Sequence, residues 1–139
     1  MEQDIRWKQR HDNYHSIIKQ LSTFLDTPTE PSLGDKLAAI KLFELGFELM
    51  WKLLKEYLQA KGVDFPYISP KLVLQTAGTT TFVEQTLVNG DILLKAHKTR
   101  NELVHAYDEE HFQQAYLLIK NSYFQEMLKL DNYFCTTDL

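Results

Sequence analysis

Apolar residues recur along most of this chain at intervals of three and four, the spacing that lays them on one face of a helix. The pattern divides into five helices, with no convincing strand. The first, over about 3–26, carries Trp7, His11, Tyr14, Ile18, Leu21 and Leu25 on one stripe. It stops before DTPTEPSLGD, a polar turn with two prolines. The second, over about 34–61, is the longest and most apolar. Ile40, Phe47, Trp51 and Leu58 cover one side, Leu42, Leu45, Leu49 and Leu53 another, and Phe43 and Met50 join them. Only Lys41, Glu44, Glu48, Lys52 and Lys55 form a polar stripe. A helix apolar nearly all round is covered by neighbours on several sides, so this one is the central helix or an oligomer contact.

Local punctuation sets the remaining boundaries. Gly62 reads as a C-cap. Ser69 followed by Pro70 supplies the cap and first position of a short third helix, about 70–77, which Gly78 closes. TTTFVEQTLV has two readings, extended chain from its β-branched residues or a short helical turn from Thr81 or Phe82. Asn89-Gly90-Asp91 is a break and then a cap for a fourth helix over about 91–104. Asp108, Glu109 and Glu110 mark the positive end of a fifth helix. It carries Phe112, Ala115, Tyr116, Ile119, Tyr123 and Leu130 to about residue 134. The expectation is an all-α, antiparallel four/five-helix up-and-down bundle, one domain over residues 1–139.

Composition narrows the function classes. The chain is 44% hydrophobic and 24% charged, ordinary for a globular domain. Its net charge of -4 argues against a broad nucleic-acid binder, whose affinity rests on phosphate neutralisation by Lys and Arg, though not against a small local RNA site. Cys135 is the only cysteine, so neither a disulfide framework nor a cysteine metal site can be built within one chain. That usage fits a reducing, cytoplasmic setting. MEQDIRWKQRHDNY lacks the apolar core of a signal peptide, and no apolar run approaches membrane-spanning length. His11, His15, His97 and His111 do not form a ligand pattern, so neither metal nor cofactor is expected.

The chemistry concentrates in RNELVHAYDEE, which begins at Arg100. Arg100 falls on a helical face with Leu93, Ala96, Leu103 and Val104, where an apolar residue belongs. A guanidinium keeps its charge, so there it needs an acid, an anion or an exit to water. His105 and Tyr107 follow, a histidine being the side-chain type suited to moving protons near neutral pH, and the three suit phosphate chemistry. Residues five apart on a straight helix point roughly 140° away from each other. Arg100 and His105 therefore converge only if the helix ends between them or a twofold axis brings two copies together. A blander reading pairs Arg100 with Glu44 or Glu48 of the second helix and leaves His105 at a helix end. Lys41–Glu44 and Glu48–Lys52 would then be ordinary pairs at helical spacing, and Asn101 would bind a phosphate or merely cap. Trp7 and Trp51 read as core residues.

An arginine, four residues, a histidine, one residue and a tyrosine at the last break of a five-helix chain resembles the signature of the HEPN superfamily, with Asn101 after the arginine. FELMWKLLKEYL, then Gly62 and the Ser69-Pro70 start, is similar to the nucleotidyltransferase substrate-binding protein family within it. The resemblance covers about Trp7 to Tyr133. It implies a homodimeric helical subunit that works with a minimal nucleotidyltransferase encoded separately. For toxin–antitoxin members it implies a metal-independent RNase, with Arg100 and His105 catalytic and Tyr107 the acceptor of AMP groups from the partner.

Two functions follow as expectations, with a purely structural helical dimer behind them. In the first, the chain docks on the transferase and presents a substrate or its own Tyr107, with Asn101, Glu44 and Glu48 lining the groove. In the second, it is an endoribonuclease in which His105 moves the proton and Arg100 stabilises charge growing on the phosphate. The acidic balance ranks the first ahead. The chain holds no Gly-Ser and paired-Asp motif of a nucleotidyltransferase, so the transfer would be the partner's.

Overall fold

In the computed structural model, which describes residues 2–79, 81–82, 85–86, 88–105 and 108–137, the six stripe residues of the first helix are all buried. That helix, α1, spans Glu2–Leu25. α2 spans Leu33–Ala60 and opens on a capping box, in which Ser32 Oγ accepts from Asp35 N–H and Asp35 Oδ2 accepts from Ser32 N–H, both at 3.0 Å. It ends as its glycine predicts. Gly62 takes φ 97°, a left-handed conformation that costs glycine least. The Val63 and Gly62 N–H groups then turn back to Leu58 and Gln59 carbonyls at 2.9 and 3.0 Å, a Schellman closure.

α3, Pro70–Thr79, is capped by Ser69 Oγ, which accepts from Leu72 N–H at 3.1 Å. The ambiguous segment is extended: β1 (Thr81–Phe82) pairs antiparallel with β2 (Gln85–Thr86), Thr81 opposite Thr86. α4, Gly90–Leu103, is capped by Asn89 through Ile92 N–H. α5, Glu109–Leu118, starts at Asp108, whose carboxylate accepts from His111 N–H at 2.9 Å. It then passes through one π turn, Ile119–Tyr123, into α6, Phe124–Cys135. The fifth helix of the sequence pattern is therefore one rod with a widened turn inside it.

The pairings give the directions. Trp7, His11 and Tyr14 meet Phe134, Asp131 and Met127 in turn, so α1 and α6 run antiparallel. α1 is antiparallel to α2 as well, through the Arg10–Glu56 ion pair and the approach of Gly46 to Ile17. The result is the expected all-α bundle, with α2 at its centre between α1, α3, α5 and α6. Ten α2 residues are buried, yet Leu33, Leu37 and Leu45 stay exposed, so its coverage is not complete. No helix among the described residues is long and apolar enough to cross a membrane.

One expectation needs correction. Gly78 does not close α3, which continues through it to Thr79, and Gly62 is the only described glycine with positive φ. The hydrogen side chain of Gly78 instead lets α4 approach, since a Cβ there would lie 2.6 Å from Gly90 Cα. Two of the histidines meet one carboxylate. His11 Nε2 and His15 Nδ1 lie 2.9 and 2.7 Å from the two carboxylate oxygens of Asp131. The fold closes a separation of 116–120 residues there, which spacing along the chain does not register.

Candidate functional site

The site is built on α4 where it crosses α2. Leu93 and Ala96 turn into the core, and one turn on, His97 and Arg100 lie on the fully buried ring of Phe47. The His97 imidazole stacks on it at 5.8 Å between centroids and 17° between planes. The Arg100 guanidinium carbon sits 5.7 Å from the same centroid, within reach of a cation–π attraction. Arg100 Nη2 donates to Glu48 Oε2 at 2.8 Å. That oxygen also accepts from the Trp51 indole N–H at 3.2 Å, and Lys52 Nζ stands 3.2 Å from Oε1.

The charged residue on the apolar stripe is thus compensated by an acid of the second helix, and the acid is Glu48. Glu44 lies one turn away, and among the described residues no Lys41–Glu44 pair forms. Trp7 is a core residue as expected. Trp51 is half-buried and belongs to this polar cluster. Burial alone pushes the Glu48 carboxyl up, but hydrogen bonds from Trp51 and Lys52 and the charges of Arg100 and Lys52 outweigh it and hold it below the usual range. The Arg100 and Glu48 side chains are 29% and 36% exposed, so water screens the pair and its contribution to stability is small. Its role is to aim the guanidinium. A guanidinium has five N–H donors, and among the described residues Glu48 occupies only the Nη2 end.

The opposite side of α4 faces an open groove of about 590 Å³ against α3, lined by Lys71, His97, Lys98, Asn101, Glu102 and His105 with Leu94. Asn101 Nδ2 lies 3.3 Å from His97 Nε2. With the amide donating, the ring proton sits on Nδ1, which is buried and has no hydrogen-bond partner among the described residues. Burial, then the positive charges of Arg100 and Lys71, lower the His97 pKa from its usual value, so the ring is neutral at pH 7. The unfolded chain takes up this proton near pH 6.5 and the folded chain only below that. Stability is therefore expected to fall as pH drops from about 7 through the folded value. His97→Gln should make the decline in melting temperature between pH 7 and pH 5 shallower than in the parent. Equal slopes would mean that His97 is not held neutral.

The helix does end between Arg100 and His105, as their convergence requires. α4 stops at Leu103, and His105 follows in a turn whose N–H returns to the Glu102 carbonyl at 3.0 Å. The break does not bring the two side chains together. His105 is exposed at the lip of the groove with Asn101, while Arg100 is held on the α2 side and does not line it. Val104, read on the arginine's face, is exposed because the helix has ended before it. Tyr107 lies outside the described residues. His97, Lys71, Lys98 and Glu102 were not foreseen as site residues. His97, one turn before both Arg100 and Asn101, carried a local signal, whereas Lys71 enters only through the packing of α3 on α4.

The family model described as "Nucleotidyltransferase substrate binding protein like" matches residues 9–134, so the chain belongs to that family. No curated protein matches it.

Proposed function

We propose that this protein is the helical, substrate-binding partner subunit of a two-component nucleotidyltransferase. It docks on a separately encoded minimal transferase and presents to it either a substrate held in the α3–α4 groove or its own Tyr107. The observation that carries this reading is the groove, which gathers a neutral imidazole, an amide and two lysines on one open face in a chain of this family. A groove with Lys71 and Lys98 beside Asn101 and His105 suits an anionic or phosphorylated group. Glu48 is engaged by Arg100 and Lys52, which weighs against its serving a cationic substrate.

Co-expression with a minimal nucleotidyltransferase from the same genome, followed by intact-mass and peptide mapping, tests the proposal. The chain should co-purify with the transferase. A mass gain of one or more AMP groups on Tyr107 would identify the tyrosine as the acceptor. An unmodified chain in the complex would identify a substrate-presenting subunit, whose substrate turnover His105→Ala and Asn101→Ala should lower. A chain that neither co-purifies nor gains mass would overturn both forms.

The exposure of His105 at a groove that also holds Lys71 and Lys98 supports a second reading, a metal-independent endoribonuclease silenced by AMP transfer to Tyr107. Arg100 faces away from that groove within one chain, so this reading requires a homodimer in which a second copy supplies its arginine. RNA cleavage that persists in EDTA and vanishes in His105→Ala would favour it over the first.

A further inference from the structure

Away from the α4 site, the first and last helices face each other with two pairs of metal-ligand side chains. His11 and His15 are four residues apart on α1, which puts both imidazoles on one face a turn apart. Asp131 and Cys135 have the same spacing on antiparallel α6. His11 Nε2 stands 2.9 Å from Asp131 Oδ1, and His15 Nδ1 stands 2.7 Å from Oδ2. Cys135 Sγ is 4.0 Å from His15 Nδ1. One ligand atom each from His11, Asp131 and Cys135 lies within 4.8 Å of the other two.

Donors held at about 2.0–2.3 Å around a tetrahedral Zn²⁺ are themselves roughly 3.3–3.8 Å apart. The His11, Asp131 and Cys135 donors, within 4.8 Å of one another, and His15 Nδ1, 2.7 Å from Asp131 and 4.0 Å from Cys135, bracket that range. We propose that His11, His15, Asp131 and Cys135 form a binding site for one divalent transition-metal ion, Zn²⁺ in class, that ties the first helix to the last. The single cysteine excludes an all-thiolate site but not this mixed one, and two imidazoles, a carboxylate and a thiolate favour Zn²⁺ or Co²⁺ over Mg²⁺ or Ca²⁺.

The surroundings are those of a built site. Asp131 is 2% exposed, a carboxylate whose two oxygens both face imidazole nitrogens. The His11 ring is fixed between Trp7, stacked at 5.7 Å and 24°, and the edge of Phe134 at 6.0 Å. Such packing orients a ligand before the metal arrives. A cleft of about 390 Å³, with Lys8, Asp12 and Thr137 on its walls, opens onto His11, His15 and Cys135 and gives an ion a path from solvent. On binding, the imidazoles coordinate in their neutral form and the thiol proton leaves to water.

The test is a Co²⁺ titration of the full chain, freed of any histidine tag and treated with chelator. One Co²⁺ per chain is expected, with the visible absorption of four-coordinate cobalt and a near-ultraviolet thiolate-to-cobalt band, both discharged by Zn²⁺. Zn²⁺ should also raise the melting temperature. His15 and Cys135 are at the surface, so His15→Gln and Cys135→Ser should keep the parent's circular dichroism. Each should weaken binding at least about tenfold, and Cys135→Ser should erase the near-ultraviolet band. No 1:1 binding at about 100 µM metal, or a spectrum and affinity unchanged by both substitutions, would overturn the site and leave a structural histidine–carboxylate network.

Discussion

Phe47→Ala is expected to lower the folding free energy by about 3–5 kcal/mol, the range for removing a fully buried aromatic side chain. Phe47 is completely buried on the central helix, tilted against Phe43 at 6.0 Å. The loss is therefore both transfer free energy and a cavity whose walls come from two helices that cannot collapse independently. One consequence sets this substitution apart from other core truncations. The same ring carries the stacked His97 imidazole and lies under the Arg100 guanidinium. Removing it takes away the surface that desolvates His97, so the histidine's pKa should climb back toward its ordinary value. Urea denaturation gives the first quantity and an NMR titration of the imidazole the second. Phe47→Leu should fall between the parent and the alanine variant in both. A stability loss under about 1 kcal/mol, or an unchanged His97 titration, would sink the account of Phe47 as the floor of the site.

What could be read from the chain alone was what depends on near neighbours. The α1 stripe, the Gly62 closure, the Ser69-Pro70 start and the Asp108 cap are each decided within a few residues, and each appears at or within a residue or two of its expected place. The π turn at Ile119–Tyr123 left no such trace. Apolar spacings of three and four continue through it, and its adjustments are tertiary: Tyr123 stacks on Phe43 at 5.7 Å, and its hydroxyl is 2.7 Å from Thr99 Oγ1. The site divided in the same way. Arg100 on an apolar stripe needed an acid, an anion or an exit to water because a guanidinium cannot shed its charge, and that argument needed no structure. Whether the acid would be Glu44 or Glu48 depended on where α4 crosses α2, a distance of one helical turn that no local pattern encodes. The separation of Arg100 from His105 had the same origin: the helix break was legible, but the direction each side chain takes from it was not. The meeting of α1 histidines with Asp131 lay further out of reach, because only the closed bundle brings the first helix to the last.

Gly78→Val is the second substitution with a large expected effect, about 3 kcal/mol of destabilisation, the upper range for overpacking a tight contact. α3 and α4 cross backbone to backbone. A Cβ on Gly78 would lie 2.6 Å from Gly90 Cα and 2.9 Å from Gly90 N, and one on Gly90 would lie 3.1 Å from Gly78 Cα. The obstructing atoms are main chain, with no rotamer to yield, so α3 must lift away from α4 as a body. The gain in helix propensity from replacing glycine, below about 1 kcal/mol, does not offset that. Because Lys71 is on α3 and His97, Asn101 and His105 follow α4, the displacement widens the groove and carries a positive charge away from His97. Denaturation should thus report a large loss, accompanied by weaker binding of the partner or substrate. Gly34→Ala supplies the control. Its Cβ would meet nothing nearer than Ser32 Oγ at 3.7 Å, so it should be neutral or raise stability by about 0.5–1 kcal/mol. A Gly78→Val protein as stable as its parent would mean that α3 and α4 do not meet through their glycines, and that the groove owes its width to something other than this contact.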